Sequence, residues 1–307
     1  MATFDEVLSA NRRDSLLLLV LLVILLASLG AAAAHLLIGD YVLETSAVTI
    51  AVTALYFFAM WFYGDAMVLT SVGAEHVNSR NYPMLDNVLE ELCIATNLPK
   101  PEIYVIHDPS LNAFATGRDP EHASVAITSG LLEKLNREEL MAVMAHEISH
   151  VKNLDIRFST LLAVTVGAIL VIRDLILNSA FRLSGRRGGR SSGKGSGGMF
   201  LYAVCLVFII LAPLFTVLLH TMASRSREYM ADTNAVKITR NPQSMISALT
   251  KVSQGPSAML SDVASGTQHI FFANPMRING RERSSLFSTH PLLEERIASI
   301  KKIYGIR

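Results

Sequence analysis

The sequence predicts an α+β membrane protein: four transmembrane helices, and one small domain of a short sheet plus helices that the second membrane hairpin splits in two. Three observations predict it. The 307 residues are 51% hydrophobic and only 17% charged, with mean hydropathy +0.38, where an ordinary soluble domain is about 25% charged. Four apolar runs reach or approach the roughly 20 residues a helix needs to cross a bilayer core. The stretches between them carry strand alternation and helical periodicity of their own.

The first run, Ser15–Ile38, follows Arg12-Arg13-Asp14 and holds no formal charge. It outlasts the h-region of a signal peptide, about 7–15 residues, so it reads as an uncleaved anchor. The second, Thr45–Gly64, ends in the interfacial aromatics Trp61 and Tyr63. The third, Phe158–Ile172, is interrupted by Arg173-Asp174, and the fourth, Met199–Met222, contains Pro213, a predicted kink. The predicted organisation is therefore a membrane hairpin over 1–64 (helices about 15–38 and 45–64), a first half-domain over 65–157, a second hairpin over 158–222 with a Gly/Ser/Arg loop at 185–198, and a second half-domain over 223–307.

Orientation follows the Lys/Arg bias of short loops. The first hairpin loop has Asp40 and Glu44 but no Lys or Arg, so it faces outside and residues 65–157 face the cytoplasm of a multi-pass plasma-membrane protein. The second loop carries Arg173, Arg182, Arg186, Arg187, Arg190 and Lys194 against Asp174. Either it crosses against the bias or that hairpin is embedded without fully spanning. Both arrangements leave the two half-domains on one side. The net charge of +1 gives no sign of a nucleic-acid partner, and Cys93 and Cys205 suggest no disulfide.

In the half-domains, residues 81–99 read as a helix stopped by Pro99, and "PEIYVIH", "NAFATG" and "HASVAITSG" as three short strands. A helix capped by Asn136, with Glu138 and Glu139 in its first turn, follows. Further helices are predicted around 223–238, 242–254 and 290–303.

The Asn136 helix contains "MAHEISHVKN". Leu140, Met144, Ile148 and Val151 form an apolar stripe; Val143, His146, Glu147 and His150 form a second face. His146 and His150 are one turn apart, so both imidazoles can meet one ion, with Glu147 beside the open coordination position as a proton carrier. Three fixed residues are a short pattern, and a solvated polar face would read the same way. "SRSREYMAD" adds the missing part: Glu228 as a third ligand, and Asp232 one turn on as hydrogen-bond partner of a ligating histidine. If the helices run on unbroken to Arg157 and back to Met222, each ligand lies roughly 10 Å from the membrane surface.

"HEISH", "EYMAD", "STHPLLEERI" and the upstream "NAFATG" together resemble the HtpX-type membrane-bound zinc metalloproteases and, more distantly, the CAAX prenyl proteases. The resemblance implies a zincin-like (gluzincin) catalytic domain, one Zn²⁺ per chain held by His146, His150 and Glu228, and Glu147 as acid/base. It implies a cytoplasmic site that degrades misfolded or damaged membrane proteins at the lipid bilayer, with a tendency to self-cleavage. Asn112 and Ala113 would contact an extended substrate by strand addition, and His290 would donate to the oxyanion. Arg296 would hold its helix or a carboxylate, or simply lie on the surface. Asp155, five residues after His150, could back a ligating histidine or be simply a helix-end charge, and the second reading is favoured. The alternative, a membrane zinc carrier or sensor, would need acidic or His residues along the membrane segments; these hold only His35, His220 and the Arg173-Asp174 pair.

Overall fold

A computed structural model describes residues 42–165 except 79, 225–256, 271–273 and 291–306, with residues 13, 17 and 20. The remainder of the first apolar run, the loop at 185–198, the fourth run and His290 lie outside the described residues.

Helix α1 (Val42–Ser71) leads into β1 (Glu75–His76), α2 (Pro83–Thr96), β2 (Glu102–Ile106) and β3 (Ala113–Gly117). A 3-10 turn (Pro120–His122), β4 (Ala123–Thr128), α3 (Ser129–Lys134) and α4 (Arg137–Lys152) follow. Residues 155–165 are helical and are called α5. Then come α6 (Arg225–Thr239), α7 (Pro242–Gln254) and α8 (Leu293–Tyr304). The mixed α+β architecture is as predicted; the two-residue strand β1 is too short to leave a periodicity.

The sheet runs in the order β1-β2-β4-β3, with β2 and β4 parallel and the two outer pairs antiparallel. Strand alternation explains why β4 is buried at every residue. Ile103, Val105, Ala113, Ala115, Val125 and Ile127 face the core built with α2 and α4. Ile106, Phe114 and Ala126 face the opposite way, onto Val68, Leu69 and Val72 at the end of α1. Covered faces give near-continuous apolar strands.

The second apolar run thus belongs to a helix longer than 45–64, extending to Ser71 so that its last turns pack on the sheet. Among the described residues, Ile50–Ser71 is the one helical stretch long and apolar enough to cross a membrane. Leu55, Phe58 and Tyr63 on α1 are about two-thirds exposed (67%, 65% and 65%). α5 packs against α1 at Gly64, where a Cβ would lie 3.3 Å from Thr160 Cγ2 and 3.5 Å from Val164 Cγ2. A small residue lets the two backbones approach closely.

α4 begins with a full capping box. Asn136 Oδ1 accepts from the Glu139 N–H at 2.9 Å, and Glu139 Oε2 accepts from the Asn136 N–H at 2.9 Å. Its second face is not a wet one: His146, Glu147 and Val143 are all buried, because α6 packs against it. Nor does the helix run on to Arg157. It stops at Lys152, and Leu154 turns the chain with φ +59° before α5 begins. The distance from His150 to the membrane surface cannot therefore be counted along one straight helix.

Candidate metal centre

α4 and α6 bring three ligand-type side chains together. His146 Nε2 and His150 Nε2 are 3.1 Å apart, and each is 3.7 Å from a carboxylate oxygen of Glu228. The nearest ligand atoms of the three residues all lie within 4.8 Å of one another. The far nitrogen of each ring meets a carboxylate: His146 Nδ1 lies 2.9 Å from Asp232 Oδ1, and His150 Nδ1 lies 3.0 Å from Asp155 Oδ2. An ionised carboxylate only accepts, so both Nδ1 atoms carry hydrogen and both Nε2 atoms point at the centre.

The donor set fits a zinc ion. Two imidazoles and one carboxylate are a hydrolytic zinc set, and tetrahedral bonds of about 2.0–2.1 Å put neighbouring ligand atoms roughly 3.3 Å apart. The distances above bracket that value. Glu147 adds a second sign of fit: its Oε1 is buried and has no hydrogen-bond partner among the described residues. Burial pushes the Glu147 carboxyl above its ordinary range, with Glu228 adding to the rise and His146, His150 and Arg296 opposing it. A carboxyl raised in this way is a stronger base than an ordinary one, which suits it to take up a proton.

Arg296 is not on the surface. It is fully buried, and its guanidinium holds Asp232 through two hydrogen bonds while Nη1 donates to the Phe272 carbonyl at 2.7 Å. It also stacks 4.5 Å from the Phe272 ring centre. Burial works against the charge on Asp232, but Arg296 and His146 hold its carboxyl below the usual range. Asp155 is likewise not a mere helix-end charge; it is 5% exposed and bonded to His150.

Asn112 and Ala113 lie at the edge strand as expected, but their outward groups are occupied by the chain itself. Asn112 Nδ2 donates to the Ala273 carbonyl at 2.9 Å, and Asn112 Oδ1 accepts from the Ala273 N–H at 3.1 Å. The Ala113 carbonyl accepts from the Phe272 N–H at 2.7 Å. Phe272 in turn packs edge-on against His146, with ring centres 5.0 Å apart. The Asn112 amide and the Ala113 carbonyl are thus held by an internal strap. The register turns the backbone of Ala113, Ala115 and Gly117 outward. Gly117 N–H is taken by Thr160 Oγ1 at 3.1 Å, so between two internal contacts it is the backbone of Ala115, itself only 4% exposed, that turns away from β4.

Sequence reasoning did not assign Phe272 or the partnership of Asp155 with His150. The pair Phe271-Phe272 inside a polar stretch is the one local signal of a buried segment there; for Asp155 the less favoured of its two readings is the one the structure shows, because positions five apart do not share a face of an unbroken helix.

Residues 79–304 match the family model described as Peptidase family M48. A protein named "Protease HtpX homolog" from Thermoanaerobacter pseudethanolicus is 41% identical over 251 residues, 81% of each chain. One of the same name from Listeria monocytogenes serotype 4a is 35% identical over 304 residues, covering 97% of this chain and 99% of that one. The crystal structure of S. mikatae Ste24p aligns with 83% of this chain and 57% of its own, at 18% identity and TM-score 0.47.

Proposed function

Because the chain belongs to peptidase family M48 and is therefore a metal-dependent protease, we propose that it is an integral-membrane zinc endopeptidase. His146, His150 and Glu228 hold one zinc ion, and Glu147 is general base and then general acid. The observation that carries this reading is the buried Oε1 of Glu147, without a hydrogen-bond partner among the described residues, beside the three ligand-type side chains.

A bound zinc ion supplies Lewis-acid activation of water and of the scissile carbonyl. Glu147 Oε1 takes a proton from the attacking water and returns it to the departing amine. Asp232 and Arg296 keep the His146 ring in the tautomer that offers Nε2. An extended peptide pairs with the outer edge of β3 at Ala115. His290 donates to the oxyanion.

Misfolded or damaged membrane proteins are the proposed substrates, and the cytoplasmic face of the plasma membrane the proposed location. In support, the apolar helix α1 packs its last turns onto the sheet that carries β3; by this reading the centre lies close to the bilayer. The second hairpin, by this reading, returns residues 223–307 to the same side as residues 65–157.

The test compares zinc content and cleavage of casein and of a misfolded membrane protein for wild type, Glu147→Gln and Glu228→Ala. Glu147→Gln should keep zinc and lose at least about 10²-fold in rate; Glu228→Ala should lose zinc as well. Full activity in Glu147→Gln would sink the mechanism.

A further inference from the structure

We infer that Asp155 is a positioning residue for the metal centre: it sets the ring of His150, and it ties that ring to the seating of α5 against α6. The inference rests on reading His150 as a ligand.

The chain makes a specific detour to place this carboxylate. α4 ends at Lys152 and Leu154 adopts a left-handed conformation, φ +59°, although it is only 8% exposed and has a branched side chain. Non-glycine residues seldom take this conformation. The turn lets Asp155, the first residue of α5, face back onto the helix that has just ended. On a continuous helix its side chain would point well away from His150.

The other oxygen of Asp155 looks to α6. Arg227 Nη1 lies 4.0 Å from Asp155 Oδ1, and the Arg227 guanidinium sits 4.5 Å over the ring of Phe158 on α5. Arg227 immediately precedes Glu228. The two histidines are thus served by matching sets. His146 has Asp232 and Arg296, drawn from α6 and α8; His150 has Asp155 and Arg227, drawn from α5 and α6. With Nδ1–H held by Asp155, His150 offers Nε2 toward His146 and Glu228. α5 also contains the start of the third apolar run, Phe158 onward, so the group that orients a ligand sits three residues before it.

The test measures zinc affinity of the full-length protein in detergent by competition with a chromophoric chelator, for wild type, Asp155→Ala, Asp155→Asn and Ser159→Ala. Far-UV circular dichroism checks folding, and the visible spectrum of the Co²⁺-loaded protein reports ligand geometry. Asp155→Ala should weaken zinc by about 10- to 100-fold and shift the Co²⁺ bands. Asp155→Asn, whose amide oxygen still accepts from Nδ1–H, should recover most of the affinity. Ser159→Ala, which loses the 2.8 Å bond to the Asp155 carbonyl in the same turn, should bind as wild type does. Wild-type affinity and spectrum in Asp155→Ala would overturn the inference, as would equal losses in Asp155→Asn and Asp155→Ala, or in Ser159→Ala and Asp155→Ala. A wild type that takes up neither ion would overturn this inference together with the zinc reading; a wild type that binds while Asp155→Ala is unchanged overturns this inference alone.

Discussion

Arg296 grips Asp232 with two parallel hydrogen bonds, Nε to Oδ2 at 2.8 Å and Nη2 to Oδ1 at 2.6 Å, and neither side chain reaches solvent. The same Oδ1 accepts from His146 Nδ1. Removing one member leaves a charge buried without its partner, which costs about 3–5 kcal/mol. Arg296→Ala and Asp232→Ala should each lose stability on that scale in chemical denaturation. The double variant should lose less than the sum, because the two residues act on one another. Strict additivity would show that the pair is not coupled.

The metal-free protein should hold a proton where the ion would sit. Burial alone would lower the His150 imidazole, but the hydrogen bond to Asp155 and the charges of Glu228, Asp155 and Glu147 raise it from 6.5 to about 9. Zinc binding near neutral pH should therefore release about one proton from His150. Calorimetric titration in buffers of different ionisation enthalpy measures it. The sign for stability follows. Between 6.5 and about 9 the folded apoprotein binds more protons than the unfolded chain, so its stability falls as pH rises through that window. Apoprotein carrying His150→Gln should show a flatter profile there.

Ala115 tests the substrate edge. Proline at this position removes an outward N–H and leaves the β4 ladder, carried by the neighbouring residues, intact. Ala115→Pro should lower kcat/KM for extended peptides by about 2- to 10-fold, the value of one net hydrogen bond, while zinc content stays at the wild-type level. Unchanged kinetics would move substrate away from this edge.

The N-cap of α4 sets the start of the motif helix. Asn136→Ala removes the bond to the Glu139 N–H and should cost about 1 kcal/mol in denaturation, with zinc affinity retained. A loss of zinc binding at retained folding would mean that the cap positions the ligands as well as the helix.

Much of this site was legible because helical spacing is a local property. His146 and His150 stand one turn apart, as do Glu228 and Asp232, and each pair lies inside a single helix. The three longer strands were legible for the same reason, since alternation and turn residues mark them within a few positions. Three features depend on contacts that spacing does not encode. Asp155 reaches His150 through the left-handed turn at Leu154, which nothing in "KNLD" announces. Arg296 in "LEERI" reads equally as the partner of a carboxylate or as a surface charge until α8 is seen to bury it on Asp232. Asn112 reads as a substrate contact, yet its amide binds both backbone groups of Ala273. The length of α1 was underestimated because Asp65 looks like a membrane boundary, whereas the helix simply continues as the cover of the sheet.

The centre is assembled from parts the ribosome delivers far apart in time. His146 and Asp155 emerge first, Glu228 and Asp232 only after the intervening apolar stretch, and Arg296 later still. A growing chain therefore displays the HEISH helix long before it has a third ligand or the arginine that steadies the fourth carboxylate. The metal site of a new chain is therefore complete only when its synthesis is nearly over, and the order of the sequence itself delays the activity of each copy.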